Sequence, residues 1–186
     1  MLRSGAAAPT DLRTDTFTVE PLTRANADLD YECYMASPNV IRIHSDGRWP
    51  VEGFTLAQDR AMAATHDIDH QAGRSFAFVL LTPSRDRALG CVYLNPPPVQ
   101  LAEPSAIVTF WIRQDCQHTD LPRTAVSEVN RWLLDEWPLD TYLFRVLPAE
   151  IASRSALEAI GCRRVELDLP GEPRPYLWFA PPDLRL

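Results

Sequence analysis

The segments Ser75–Thr82 (SFAFVLLT), Ala88–Asn95 (ALGCVYLN) and Ser105–Arg113 (SAIVTFWIR) decide the fold of this chain. Each is an almost continuous apolar run, which predicts a strand that is buried on both faces. The polar turn Ser84–Arg87 is short enough to join the first two as a β-hairpin, and three consecutive prolines at 96–98 precede the third. The centre of the protein is therefore predicted to be a sheet of three successive strands.

The flanking sequence predicts helices on both sides of this sheet. Upstream, the segment Pro38–Gly53 is rich in turn residues and is expected to be irregular, and the helix after it carries a predicted core stripe of Ala57, Ala61, Ala64 and Ile68. The whole predicted order is strand Phe17–Leu22, helix Thr23–Ser37, irregular Pro38–Gly53, helix Thr55–Gln71, the three central strands, helix Leu121–Trp137, strand Tyr142–Leu147, helix Ala149–Ile160, and a hairpin of Arg164–Leu169 with Tyr176–Ala180. This order predicts an α+β fold, a mixed and mostly antiparallel sheet flanked by helices.

Length and composition fit a single domain. The chain has 186 residues, of which 46% are hydrophobic, and a formal net charge of −7. We expect a disordered lead-in over residues 1–14 and one domain over 15–182. The strongest apolar run, Phe76–Leu81, is too short to span a bilayer and the N-terminus lacks the apolar region of a signal peptide, so a cytoplasmic protein without a membrane partner is predicted.

Several functional classes are excluded by residue usage. The 7 glycines never form a G-x-G, which excludes the dinucleotide fingerprint and the Walker loop. All 18 basic residues are arginine, so a lysine nucleophile or Schiff base is impossible. The acidic net charge and the scattered arginines do not favour a nucleic-acid partner. The 4 cysteines form no C-x-x-C, and reduced thiols are expected.

Three segments resemble motifs of the GNAT acetyltransferase superfamily. Gly90 opens the second central strand, and Val108–Arg113 stands where the family's fourth strand leads into its cofactor loop. Ser153–Cys162 is similar to the family's late helix, N-x-x-S-x-x-x-x-E-K-x-G-F, at Ser153, Glu158 and Gly161. The resemblance implies a GNAT-like fold, acetyl-CoA as co-substrate, and transfer of an acetyl or other acyl group to a small-molecule or protein amine. It also implies that a homodimer is possible.

The family's pyrophosphate loop, Q/R-x-x-G-x-G/A, aligns with Gln117–Pro122, and only Gln117 fits. In the family this loop binds phosphate through free N–H groups at a helix N-terminus. Here Asp120 replaces the first glycine and Pro122 removes a donor. Two alternatives follow: a conventionally capped helix that binds no anion, or a cofactor loop in which Arg123, Gln117 and Thr119 supply the missing interactions.

The same resemblance assigns the other site residues. Backbone groups of Phe110, Trp111 and Ile112 are expected to pair with the pantetheine arm, with an N–H near Ile112 as oxyanion donor. Ser153 is a further expected cofactor contact, and Glu103 or Tyr93, or a water between them, is the expected base. The family's late-helix tyrosine acid is absent, with Ser153 and Ser155 the only hydroxyls nearby.

Competing hypotheses concern the remaining aromatic and imidazole residues. His66 and His70 have the i, i+4 spacing of a metal pair, but both lie roughly 160° around the helix from Ile68, so we expect them to face solvent and predict no metal site. His44 and Trp49 fall in the segment that, by resemblance, borders the acceptor pocket. The alternative to an enzyme is a GNAT-like scaffold that has lost acetyl-CoA and binds a ligand or partner.

Overall fold

The computed structural model describes residues 7–97, 105–167 and 174–183. The helices are α1 (Ala27–Met35), α2 (Pro38–His44), α3 (Leu56–Gln71), α4 (Leu121–Asp135) and α5 (Ile151–Ala159). The strands are β1 (Leu12–Arg13), β2 (Thr18–Pro21), β3 (Phe76–Leu81), β4 (Ala88–Asn95), β5 (Ala106–Ile112), β6 (Tyr142–Val146), β7 (Arg163–Val165) and β8 (Leu177–Ala180). Among these residues, none of the helices has the length and apolar character that a membrane span requires.

One mixed sheet contains all the described strands, in the order β1-β2-β3-β4-β5-β6-β8-β7. Neighbouring strands are antiparallel except β5 and β6, which are parallel and are connected through α4. The β3–β4 hairpin and the β7–β8 pairing agree with the sequence prediction. The predicted α+β class, with a mostly antiparallel sheet flanked by helices, is confirmed.

The two faces of the sheet carry separate apolar layers, because successive side chains of a strand point in opposite directions. Phe110 and Ile112 of β5 pack on the face covered by α4 and α5, with Val126 and Val129. Trp111 packs on the opposite face, in the cluster that includes Ala27 of α1, Ile41 of α2 and Ala63 of α3. β5 therefore contributes side chains to both layers, as β3 and β4 also do.

The segment after Pro38 is helical as far as His44, where the sequence predicted an irregular stretch. Pro38 does not end a helix here; it occupies the first turn of α2, where its missing N–H costs nothing and its fixed φ suits the helix. Ala36 and Ser37 separate α1 from α2. The turn residues after Ser45 still form the expected non-helical connection to α3.

The predicted core stripe of α3 is wrong. Ala57 and Ala61 are exposed, Ala64 is half-buried, and Ile68 is 59% exposed. The inward face instead carries Asp59, Ala63, His66 and His70. Alanines on the outer face of α3 produced an apolar periodicity that does not mark the core. The inward face is mostly polar, so a search for hydrophobic periodicity does not find it.

Contrary to the prediction, His66 and His70 consequently do not face solvent. The His66 ring contacts Tyr93, and the His70 ring contacts Phe76 and Phe78 at centroid distances of 4.9 and 5.2 Å. Burial lowers the pKa of both imidazoles. No group of three or more His, Cys, Asp or Glu side chains arranged to hold a metal occurs among the residues that the structure describes.

The predicted disordered lead-in over residues 1–14 extends too far. Leu12 and Arg13 form β1, pairing with Val19 and Thr18 at the edge of the sheet. Ala8 and Leu12 also pack against the main core. The sequence gives little sign of this because a two-residue edge strand is too short for a periodic pattern.

Candidate active site

Strands β5 and β6 separate part of the way along their length. They pair at Ala106, Ile107 and Val108 and no further, although β5 continues to Ile112 and β6 to Val146. Beyond this point β6 pairs only with β8. The second half of β5 is therefore an open sheet edge inside the protein, which can accept an extended ligand by strand addition.

The open edge presents the backbone groups of Phe110 and Ile112. The Arg113 N–H donates to the Leu89 carbonyl at 2.8 Å, which places Arg113 and, by alternation, Trp111 among the residues bonded to β4. The peptide groups of Phe110 and Ile112 then point toward the side that β6 has left. Of the three residues expected here from sequence, Phe110 and Ile112 are placed suitably, whereas Trp111 turns its backbone to β4 and its indole to the opposite face.

A groove begins at the turn after β5 and extends between the start of α4 and α5, and Gln117 in its lining donates to the Ile112 carbonyl at the end of β5. Its larger part has a volume of about 590 Å³ and is lined by residues of α2, of the turn after β5 and of α5, including Gln117 and Ser153. A second part of about 240 Å³ shares Gln117, Ala152 and Ser155 with the first and continues to Thr119 and Arg123. The volume is in the range of small-molecule and cofactor sites. Four cofactor contacts expected from sequence, Gln117, Thr119, Arg123 and Ser153, thus line one continuous groove.

The loop at the start of α4 does not have the capped form that one sequence alternative predicted. Asp120 is the N-cap residue, but its side chain makes no cap hydrogen bond. Its two carboxylate oxygens instead accept from the Arg123 guanidinium at 2.9 and 2.6 Å. The backbone N–H groups of Asp120 and Arg123 have no hydrogen-bond partner among the described residues, so the helix N-terminus keeps free donors for an anion.

Two predicted phosphate donors are already engaged by the protein. The Gln117 side-chain amide donates to the Ile112 carbonyl, and the Thr119 hydroxyl donates to the Cys116 carbonyl while it accepts from the Leu121 N–H. These bonds fix the loop against the end of β5. The charge available to a phosphate group therefore depends on Arg123, which Asp120 neutralises.

Replacing Asp120 by asparagine is expected to tighten acetyl-CoA binding about 2- to 5-fold, because a charge at a helix N-terminus has an effect of this size. The Arg123 hydrogen bonds lower the pKa of Asp120, so the carboxylate is ionised at neutral pH and opposes a phosphate. Isothermal titration with acetyl-CoA measures the change. Glu128→Gln, which breaks a similar i, i+3 pair with Arg131 further along α4, is the matched control and should leave the affinity unchanged.

The same titration with acetyl-pantetheine tests where the effect arises. This ligand lacks the pyrophosphate, so its affinity for Asp120→Asn and for the unchanged protein should be equal. An equal gain for both ligands, or no gain for acetyl-CoA, would contradict the placement of the pyrophosphate at this helix.

A smaller pocket lies on the opposite side of β5, next to the expected acceptor position. It has a volume of about 170 Å³, and most of its lining is aromatic: Tyr34, Trp49, Tyr93 and Trp111, together with Ile41, His44, Ser45 and Met62. The edge of Tyr34 meets Trp49 at 6.4 Å between centroids, and Trp49 meets Phe54 at 5.2 Å. Trp111, expected as a cofactor contact, is a wall of this pocket instead. His44 and Trp49, which the resemblance places at the border of the acceptor pocket, both line this cavity.

Tyr93 is poorly suited to the role of base. Burial raises its pKa well above the usual value for a phenol, so the hydroxyl keeps its proton at neutral pH. Its oxygen accepts from the Trp111 indole N–H at 3.4 Å. The other predicted base, Glu103, lies outside the described residues.

Two carboxyl groups are buried near the aromatic pocket. Burial raises the pKa of Asp30 to about 6 and that of Asp59 to about 7. The Cys91 thiol donates to Asp30 at 3.0 Å, whereas one oxygen of Asp59 and the Tyr34 hydroxyl are buried and have no hydrogen-bond partner within the described part of the chain. Burial therefore raises the pKa of two carboxyl groups next to this pocket.

Helix α2 is held across the mouth of the larger groove at both of its ends. At its start, the Gln114 side chain accepts from the Asn39 N–H, and Ser37 accepts from the Gln114 N–H, both at 3.0 Å. At its end, His44 Nδ1 lies 2.7 Å from Glu150 Oε1. Sequence reasoning singled out His44 but missed Glu150, which stands where the family's late helix has its asparagine.

Comparison with known proteins agrees with this architecture. Residues 16–163 match the family model described as the acetyltransferase (GNAT) domain. No curated protein sequence gives a significant match.

Solved structures share the fold at low sequence identity. A ribosomal-protein-S5-alanine acetyltransferase from Vibrio fischeri is 14% identical, with a TM-score of 0.70 over 92% of this chain and 95% of its own. The ribosomal L7/L12 α-N-protein acetyltransferase RimL, in complex with coenzyme A, is 12% identical, with a TM-score of 0.71 over 94% and 97%. An acetyltransferase from Agrobacterium tumefaciens is 19% identical, with a TM-score of 0.67 over 95% and 96%. The match to the family model extends over most of the chain and includes the separated strands and the groove, and the chain belongs to the GNAT acetyltransferase family.

Proposed function

We propose that this protein is an acetyl-CoA-dependent N-acetyltransferase that acts on a primary amine. The observation that carries the proposal is the open edge of β5 together with a groove, large enough for a cofactor, that begins at the turn after this strand. Acetyl-CoA is the acyl donor of the family, and as substrate it supplies the acetyl group as a thioester. The Phe110 peptide groups and the Ile112 N–H bind its pantetheine arm, since the Ile112 carbonyl already accepts from Gln117. Ser153 lines its path, and the start of α4 faces its pyrophosphate.

The residues present fit this substrate at both ends of the groove. Strand addition uses backbone groups alone, so the pantetheine site does not depend on the altered loop sequence. At the phosphate end, free N–H groups of Asp120 and Arg123 remain, even though the Arg123 charge is paired. An N–H on the open edge near Ile112 is the oxyanion donor we propose.

Thermal unfolding with acetyl-CoA tests the proposal. At 100 times its dissociation constant, acetyl-CoA should stabilise the protein by about 2.7 kcal/mol. Acetyl-pantetheine and longer acyl-CoA thioesters serve as comparison ligands, because they separate phosphate binding from acyl preference. If none of these ligands shifts the unfolding transition at millimolar concentration, the enzyme proposal is wrong.

The second candidate function is a GNAT scaffold without acetyl-CoA binding. It is favoured by the Asp120–Arg123 pair and by the engagement of Gln117 and Thr119 within the protein. Under this alternative the small aromatic pocket would bind a ligand by itself. The thermal unfolding experiment decides between the two, since only the enzyme proposal requires stabilisation by acetyl-CoA.

For the acceptor we propose the terminal amine of a protein or a small amine of similar size. The aromatic pocket of about 170 Å³ has room for one compact group next to the reacting nitrogen. Similar structures include acetyltransferases of ribosomal proteins, which suggests protein termini as the first candidates. Mass spectrometry of peptides that begin with Ser, Ala or Met, compared with small alkylamines, tests this class.

A further inference from the structure

An imidazole–carboxylate pair joins His44, in the last turn of α2, to Glu150, the residue immediately before α5. His44 Nδ1 lies 2.7 Å from Glu150 Oε1, and the other Glu150 oxygen accepts from the Leu147 N–H at 2.5 Å. The side chain of Glu150 is only 8% exposed and that of His44 is 20% exposed. Glu150 also stands at the N-cap of α5, where the positive end of the helix stabilises a carboxylate. The pair is therefore a fixed and largely enclosed feature of the site.

This pair occupies the wall between the two cavities. Glu150 lines the larger groove, where the cofactor is proposed to lie, and His44 lines the small aromatic pocket, where the amine is proposed to lie. The His44 ring lies nearly parallel to Tyr93, with centroids 6.5 Å apart. An imidazole in this position can reach a group that enters the pocket without obstructing the groove.

The hydrogen bond to Glu150 determines which ring nitrogen is available. In a neutral imidazole bonded to a carboxylate, Nδ1 carries the proton and donates it, so Nε2 has a free lone pair. His44 Nε2 has no hydrogen-bond partner among the described residues. We propose that His44 is the base that deprotonates the acceptor ammonium and that Glu150 is its positioning residue. This inference rests on the proposed acetyltransferase function.

The proton and electron balance is simple. His44 Nε2 takes one proton from the ammonium, and the amine lone pair then forms the C–N bond to the thioester carbonyl. The C–S bond breaks, and its electron pair leaves with the sulfur as thiolate. The second proton lost from nitrogen goes to that thiolate or to water, and His44 returns its proton to solvent. Since a thiol has a pKa of about 8.5, the leaving group needs no dedicated acid.

Two variants separate the chemical role of His44 from its structural one. His44→Asn keeps an N–H donor near the Nδ1 position for Glu150 but has no Nε2. Glu150→Gln keeps one acceptor oxygen for the two donors that Glu150 serves, the imidazole and the Leu147 N–H, whereas Glu150→Ala keeps none. Thiol release from acetyl-CoA is measured with serinamide and alaninamide as probe amines, and acetyl-CoA binding is measured separately by thermal unfolding.

We expect His44→Asn to lower kcat about 100-fold with an unchanged KM for acetyl-CoA, the effect of losing a general base. Glu150→Gln should be more active than Glu150→Ala, because one acceptor oxygen remains within reach of the imidazole. In ¹⁵N imidazole NMR spectra, His44 should be the Nδ1–H tautomer in the unchanged protein and should shift toward the Nε2–H tautomer in Glu150→Ala.

Diethyl pyrocarbonate provides a test that needs no acceptor, since it acylates accessible imidazole nitrogens. His44 should be modified, and the half-buried His66 and His70 serve as internal references. An unreactive His44, the wrong tautomer, or full turnover by His44→Asn would overturn the proposal. Absence of acetyl-CoA binding in the unchanged protein would instead overturn the proposed function.

Discussion

Replacing Gly90 by alanine is expected to lower the free energy of unfolding by about 3 kcal/mol, from backbone strain and forced overpacking together. Gly90 has a φ of +148°, and a Cβ at this position would lie 2.1 Å from the Trp111 carbonyl oxygen and 2.9 Å from the Ile112 Cα. Both atoms belong to the backbone of β5, which is paired in register with β4 at this point. No side-chain rotation can relieve such a contact, so the two strands must move apart.

Urea unfolding measures this change, and Gly73→Ala is the control. Gly73 also has a positive φ, of +65°, but nothing lies within 4 Å of an added Cβ, so only the conformational cost of about 1 kcal/mol applies. Acetyl-CoA affinity should also fall in Gly90→Ala, because the displaced strand carries Phe110 and Ile112. Equal stability of the two variants would show that β4 and β5 do not approach as closely as described.

The fold was largely predictable because the central strands can be recognised in the sequence as continuous apolar runs. In β3 and β5 every residue is buried, so a continuous apolar run was sufficient evidence. Polar inward faces were not predictable in this way. α3 turns Asp59, His66 and His70 toward the protein, and a hydrophobic pattern assigns such residues to the outside.

The site was predictable only in its backbone part. The resemblance predicted the open strand edge, which follows from the order of elements, and four of its predicted cofactor contacts line the groove. The His44–Glu150 pair joins residues that are 106 positions apart, and no spacing rule links them. Likewise, the sequence indicated that Asp120 would cap α4 or oppose a phosphate, but not that it would pair with Arg123.

The burial of two carboxyl groups was also not predictable from the sequence. Asp30 and Asp59 stand in helical segments where acidic residues are ordinarily solvated, yet each is less than a tenth exposed. Their pKa values of about 6 and about 7 arise mainly from burial, a property of the assembled helices and sheet. The sequence alone does not show which side of a helix meets the core, so these raised pKa values were not predictable from it.

Replacing Ser155 by tryptophan is expected to weaken acetyl-CoA binding at least about 100-fold while the protein remains folded. Ser155 is exposed on α5 and lines both parts of the groove, so an indole at this position fills the space between α5 and the start of α4. Exposed surface substitutions usually change stability by no more than about 0.5 kcal/mol, so the melting temperature without ligand should change little.

The loss is measured as stabilisation by acetyl-CoA. At a concentration that stabilises the unchanged protein by about 2.7 kcal/mol, a 100-fold weaker site gives only about 0.4 kcal/mol. Glu158→Trp is the matched control, since Glu158 is equally exposed on α5 but lines neither part of the groove. The control should retain the full stabilisation, because the same bulky side chain then projects away from the groove. Full stabilisation of Ser155→Trp would show that acetyl-CoA binds elsewhere, whereas its loss in both variants would point to damage to α5 and not to occlusion of the groove.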